Sequence, residues 1–145
     1  MRPIVLPLAC VLVLGACGGE PQAEETAAPD TLTAVARAAY DLTMFDSIAW
    51  ETNQEAIERG SVVYNFSCAK CHGDQGRGDA ELVRQGATPR PPSFRDPEWI
   101  YVEDKEGLRE QVFIGTSESM PHWGLEGLKP RDVDAVAIFI LQSMR

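Results

Sequence analysis

Residues 68–72 read Cys68-Ala69-Lys70-Cys71-His72. Two thiols three positions apart, followed at once by an imidazole, form the Cys-x-x-Cys-His pattern of c-type haem attachment. The spacing suits that chemistry. Both sulfurs can bond side groups of one porphyrin lying across a helical turn, and His72 can offer its imidazole to the iron from the same turn. A bare Cys-x-x-Cys also occurs in thioredoxin-like redox sites and in half-sites for zinc. The redox reading lacks a βαβ pattern around the motif. The zinc reading lacks the second Cys/His pair of a closed tetrahedral site. The pattern therefore predicts one haem c held covalently by Cys68 and Cys71, with His72 as an axial iron ligand.

A second axial ligand has few sources. Beyond Met1 the methionines are Met44, Met120 and Met144. Methionine is ordinarily a gap-filling core residue, so position matters more than identity. Met144 ends a helical pattern and Met44 precedes the domain. Met120 sits in the loop from Gly115 to Gly124, followed directly by Pro121, whose fixed φ stiffens the backbone beside a weak thioether ligand. His122 is the one other histidine and would give bis-histidine iron of lower potential. Two residues this close cannot both bind the same face. Trp99, Tyr101 and Trp123 are candidates for lining the haem or bonding its propionates, with ordinary aromatic core as their other role.

The elements that must position these groups read as helices. Thr52-Asn53-Gln54-Glu55 has the form of a capping box and predicts a helix start. Ile57, Gly60 and Tyr64 then share one helical face that leads into the motif. A second helix is expected from near Asp104, through Leu108 and Val112, to a stop at Gly115. A third runs from Pro130, a favourable first residue, to about Met144. Asp132 and Asp134 fall in its first turn, where acids suit the helix dipole, and Arg145 suits the other end. Val133, Val136, Ala137, Phe139, Ile140 and Leu141 make this last helix apolar almost all round, hence buried. Between Gly73 and Pro97 lie four glycines and four prolines with no clear periodicity. Such a loop needs something to order it, and a haem supplies flat apolar faces that a domain of roughly ninety residues would otherwise lack. No strand pattern, internal repeat or phosphate-binding glycine loop is present. The fold class is all-α, with three main helices and long loops around one cofactor.

The ends of the chain bear on compartment. Met1-Arg2 followed by the apolar run from Ile4 to Ala16 reads as a secretory signal, too short to span a bilayer. Leu14-Gly15-Ala16-Cys17 resembles the lipobox of bacterial lipoproteins. That resemblance implies removal of residues 1–16 and a lipid on Cys17, whose several acyl chains hold a protein on a membrane far better than one does. The alternative is a plain signal that frees a soluble periplasmic protein. Either reading makes the protein exported. With Cys10 removed, Cys17 lipidated, and Cys68 and Cys71 on haem, no cysteine is left for a disulfide. Residues 17–33 form an acidic linker carrying Glu20, Glu24, Glu25 and Asp30 and no base. Residues 34–52 form an apolar arm with Tyr40, Leu42, Met44, Phe45, Ile48 and Trp50. It either wraps the domain's own surface or docks a partner subunit. Residues 53–145 are the domain proper.

That domain resembles the class I, monohaem cytochrome c family along nearly its whole length. The matching pieces are Gly60-x-x-x-Tyr64, Cys68-Ala69-Lys70-Cys71-His72-Gly73, Gly76-x-Gly78, Met120-Pro121-x-Trp123 and Ala137-Ile138-Phe139-Ile140. The resemblance implies a cytochrome c-like fold in which Gly60 lets the first and last helices cross closely, with Tyr64 and Phe139 nearby. It implies Met120 as the distal ligand. It also implies a proline carbonyl accepting the second imidazole N–H of His72, for which Pro92 is the best candidate and Pro91 and Pro89 are alternatives.

His/Met ligation leaves no open iron position, so the expected function is one-electron transfer rather than catalysis on a bound substrate. The chain is then a carrier between respiratory or photosynthetic partners, or the cytochrome subunit of a larger membrane oxidoreductase, and not itself an enzyme. The alternative is a haem-based gas sensor or small haem enzyme with a displaceable distal ligand. The formal net charge is −9, which argues against nucleic acid and suits steered, weak encounters with redox proteins. No small-molecule substrate is expected. The membrane surface would be engaged through the lipid.

Overall fold

The structure, a computed structural model, describes residues 31–117 and 119–145. The signal, Cys17 and most of the acidic linker lie outside the described residues. The described residues form helices and loops without a strand. None of their helices is long and apolar enough to cross a membrane.

Two of the three expected main helices make the frame. Helix α2, Asn53–Val63, starts as its capping box requires: Thr52 Oγ1 accepts the Glu55 N–H at 3.1 Å. The Glu55 carboxylate reaches back to the Glu51 N–H at 2.9 Å, one residue beyond the usual reciprocal partner. Helix α6, Pro130–Ser143, begins with its proline and buries Val133, Ala135, Val136 and Ala137 completely. These two helices cross at Gly60. A Cβ placed there would stand 2.1 Å from the Ala135 carbonyl oxygen and 2.6 Å from Phe139 Cβ. Tyr64 and Phe139 pack alongside with ring centres 5.6 Å apart. Because the obstacle is helix backbone, Gly60→Ala must push the helices apart. The expected cost is about 1–3 kcal/mol, seen as a drop in the denaturation midpoint of the haem-loaded protein. An unchanged midpoint would show that the crossing is looser than this geometry.

After α2 the helix does not run straight into the motif. Residues Tyr64–Cys68 form a π turn, closed by the Ala69 N–H on the Tyr64 carbonyl. Tyr64, Ser67 and Cys68 face inward, whereas Phe66 is 87% exposed. Helix α3, Ala69–His72, is one turn carrying the end of the motif. The glycine- and proline-rich stretch that follows contains a single helical turn, α4, Glu81–Arg84. It is otherwise irregular and is tied to the motif at several points. Tyr64 Oη donates to the Gly73 carbonyl at 2.6 Å. The Gly78 N–H bonds the His72 carbonyl at 2.8 Å, and the Phe94 N–H bonds the Gly76 carbonyl at 2.9 Å.

The third main helix, α5, spans Lys105–Ile114; Asp104 caps it by accepting the Gly107 N–H at 2.7 Å. It packs on α6 through Leu108 and Val112. A helix not anticipated from sequence, α1, spans Thr31–Ala39 and so starts inside the stretch read as linker. It sets Ala36 and Tyr40 against Phe113 and Ile114 on the other side of α5. A short tight turn, Leu42–Phe45, follows. The rest of the arm is fastened by charge. Asp134, assigned from sequence to the helix dipole, is buried instead. It accepts the Trp50 indole N–H at 2.6 Å and the Arg109 guanidinium at 2.8 Å. Arg109 lies 4.7 Å from the centre of the Phe45 ring, and Arg131 lies 3.8 Å from that of Trp50. A buried carboxylate is tolerated because three N–H donors, one from Trp50 and two from Arg109, replace the water it gave up.

Candidate functional site

One cavity of about 550 Å³ opens between the motif, the proline-rich loop, α5 and the Met120 loop. Its wall includes Cys68, Cys71 and His72 on one side and Met120 on another. Pro89, Pro91 and Pro92 contribute, as do Trp99, Tyr101 and Trp123. Size and mostly apolar lining suit a large flat cofactor. The four residues singled out for haem and iron therefore border a common space, although three come from the helical turns at Tyr64–His72 and the fourth from the loop beyond α5.

The motif side is built for a neutral imidazole. His72 stacks on Phe94, with ring centres 4.8 Å apart and planes 21° apart. Burial pushes its pKa down to about 4, so above that pH the ring is uncharged and able to coordinate metal. Its Nδ1 is buried with no hydrogen-bond partner. Pro89, Pro91 and Pro92, the residues offered for the carbonyl beside it, line the same cavity, and the Pro91 carbonyl lies toward Gly78. Cys68 is 7% exposed, and burial raises its thiol to about 12. Such a thiol is held as the neutral form, unlike the thiolates of zinc and disulfide-exchange sites. Among the described residues no three His, Cys, Asp or Glu side chains gather as a metal cluster. Two thiols, a buried neutral imidazole with an unpartnered Nδ1, and a thioether across an apolar slot fit a covalently attached haem.

The far wall depends on α5. That helix stops at Gly115, which has φ +71°, a left-handed conformation that favours glycine. A Cβ there would meet the Pro121 and Met120 carbonyl oxygens at 2.3 and 2.6 Å. Lacking one, the Met-Pro segment lies directly on the helix end. Thr116 then fastens it: its N–H donates to the Met120 carbonyl at 3.0 Å, and its hydroxyl accepts the Met120 N–H at 3.0 Å. His122 turns away from the wall that its neighbours Pro121 and Trp123 help form. Its Nδ1 bonds the Ile114 carbonyl, which leaves Met120 as the side chain of the pair that borders the cavity. Lys70 closes the circuit, its Nζ standing 6.0 Å from the centre of the Trp123 ring.

Sequence reading did not identify Phe94 as the ring against His72, nor Leu108, Gln111 and Val112 as a stripe of α5 facing the cavity. The 3–4 spacing of that stripe was the available signal for it.

Comparison with known proteins bears on the domain as a whole. Residues 55–140 match the family described as cytochrome c oxidase, cbb3-type, subunit III. The chain is similar to the cbb3-type cytochrome c oxidase subunit FixP of Bradyrhizobium diazoefficiens, with 34% identity over 83 residues, or 57% of this chain and 26% of the relative. FixP of Azorhizobium caulinodans is 29% identical over 85 residues, 59% of this chain and 26% of its own length. Subunit CcoP of Azospirillum brasilense is 28% identical over 89 residues, 61% of this chain and 29% of its own. The matched part thus spans about a quarter of the length of these relatives.

Proposed function

Because this chain belongs to the family of cytochrome c oxidase, cbb3-type, subunit III, we propose that it is a single-haem electron-transfer protein working on or within a membrane oxidoreductase. The observation that carries the reading is the shared cavity bordered by Cys68, Cys71, His72 and Met120. When bound, haem c supplies a one-electron Fe(II)/Fe(III) couple. The chain's own residues do the rest. Cys68 and Cys71 would hold the group covalently, His72 and Met120 would serve as the ligands of its iron, and Phe94, Trp99 and Leu108 would keep water from it. Pro92 belongs to the wall around it. With both of these residues as ligands, the iron would have no open position for a substrate or gas.

In this reading residues 1–16 are a signal peptide, Cys17 carries lipid, residues 17–33 are the tether, residues 34–52 the arm and residues 53–145 the cytochrome c domain. The protein stands on the periplasmic side of a bacterial membrane. Its partners are redox proteins, an oxidase complex of the kind its relatives are named for being the leading choice. Two measurements test the proposal. The reduced protein is expected to bind carbon monoxide slowly and incompletely; rapid, full binding would identify a displaceable ligand and a sensor or enzyme instead. Mild-detergent extraction of native membranes is expected to bring large redox proteins down with it, whereas a lone monomer in the aqueous fraction would count against the membrane-bound role.

A further inference from the structure

Gln111 stands on the cavity-facing stripe of α5, four residues before the Gly115 turn that delivers Met120. Its side-chain amide is committed on both ends. The Tyr101 hydroxyl donates to Oε1 at 3.0 Å, and the other end of the amide faces two groups that can only accept, which makes it Nε2. From there Nε2 reaches the Gly115 carbonyl at 3.4 Å and the Met120 sulfur at 3.7 Å. The second distance falls within the range of hydrogen bonds to sulfur, a weak acceptor. Tyr101, Gln111 and Met120 all border the cavity. The result is a relay of two hydrogen bonds ending on one thioether.

We propose that Gln111, oriented by Tyr101, is a positioning residue that holds the Met120 sulfur and sets its donor strength toward the iron. The inference rests on Met120 being the second axial ligand, as proposed above. Two physical effects act together. Methionine has three rotatable bonds and no shape of its own to keep a sulfur still. Thr116 fixes the Met120 backbone, so a partner for Sδ is the remaining need. An N–H directed at the sulfur also draws on its electron density, and in a low-dielectric cavity such a bond is strengthened. Ferric iron needs that density more than ferrous iron does, so the bond favours the ferrous state and raises the potential. Hydrogen bonds to ligands are a recognised means by which a protein tunes its metal.

The test uses the haem-loaded full chain, with reduction potential and the methionine methyl signals of the ferrous protein in NMR as readouts. Gln111→Leu keeps the volume and removes both N–H groups. It is expected to shift the ferrous/ferric equilibrium toward ferric by about three- to tenfold, tenfold being about 59 mV for one electron, and to move or double the methyl signal. Tyr101→Phe is expected to shift it the same way by less. The double variant should match Gln111→Leu alone, because Tyr101 acts through Gln111. Potentials and methyl signals unchanged in Gln111→Leu would overturn the proposal while leaving the ligand in place. So would additive effects in the double variant. A wild-type protein without ring-current-shifted methionine signals would overturn the ligand assignment itself, and the relay with it.

Discussion

Cys68→Ala combined with Cys71→Ala is expected to yield a chain from which all haem separates on denaturation. The wild type should keep its haem through the same treatment. The reason lies in what the two sulfurs do. Cys68 is part of the main hydrophobic cluster, together with Tyr64, Phe94, Leu108, Val136 and Ile140, so the thioether would bolt the cofactor into the core itself. His72 and Met120 alone would leave a coordinated group that dissociates when the protein unfolds. The effect on stability follows from linkage. Binding that exists only in the folded state is folding free energy, and a domain of this size has little to spare. The double variant is therefore expected to be poorly soluble or protease-sensitive, and its denatured chain colourless. Haem that stays with the denatured double variant would sink the attachment site.

Met120→Ala has the second largest expected effect, and it separates ligation from attachment. Haem should remain covalently bound at wild-type yield, because both thiols are intact. The iron should become high-spin or take up water, and carbon monoxide should bind the reduced form readily. The potential should fall on the order of 0.1 V, a modest part of the ~0.8 V over which axial ligands move haem potentials. His122 is not placed to rescue it while its Nδ1 stays on the Ile114 carbonyl. An unchanged spectrum and potential would mean that another residue ligates the iron.

What could be read from sequence was what is local. The Thr52 cap, the Pro130 start and the Gly115 stop are decided by residues within a turn of one another, and each is found where its chemistry put it. The motif at Cys68–His72 carries its spacing with it. Gly60 was legible through family likeness, and the Ala135 carbonyl above it supplies the physical reason. What sequence did not reveal concerns partners brought together by the fold. Asp134 looked like a dipole-matching acid because nothing nearby announced Arg109 or Trp50, which are 25 and 84 residues away. The proline meant to serve the His72 N–H could be narrowed only to a run of near neighbours. Which carbonyl points where depends on the path of a loop held by tertiary bonds such as those at Gly73, Gly76 and His72. Gln111 was unremarkable in sequence, since a glutamine on a helix is ordinarily solvated.

The π turn at Tyr64–Cys68 has a consequence for angle rather than contact. An α-helix advances about 100° per residue, so one residue of slack in a single turn rotates everything after it by about a quarter of a revolution. Upstream, Gly60 locks the rotational setting of α2, because only that edge of the helix can lie on Ala135. Downstream, Cys68 and His72 both face the cavity. The wide turn is the vernier between these two settings. It spends its extra residue outward, as Phe66, and brings the thiols into phase with the slot while α2 stays locked on α6.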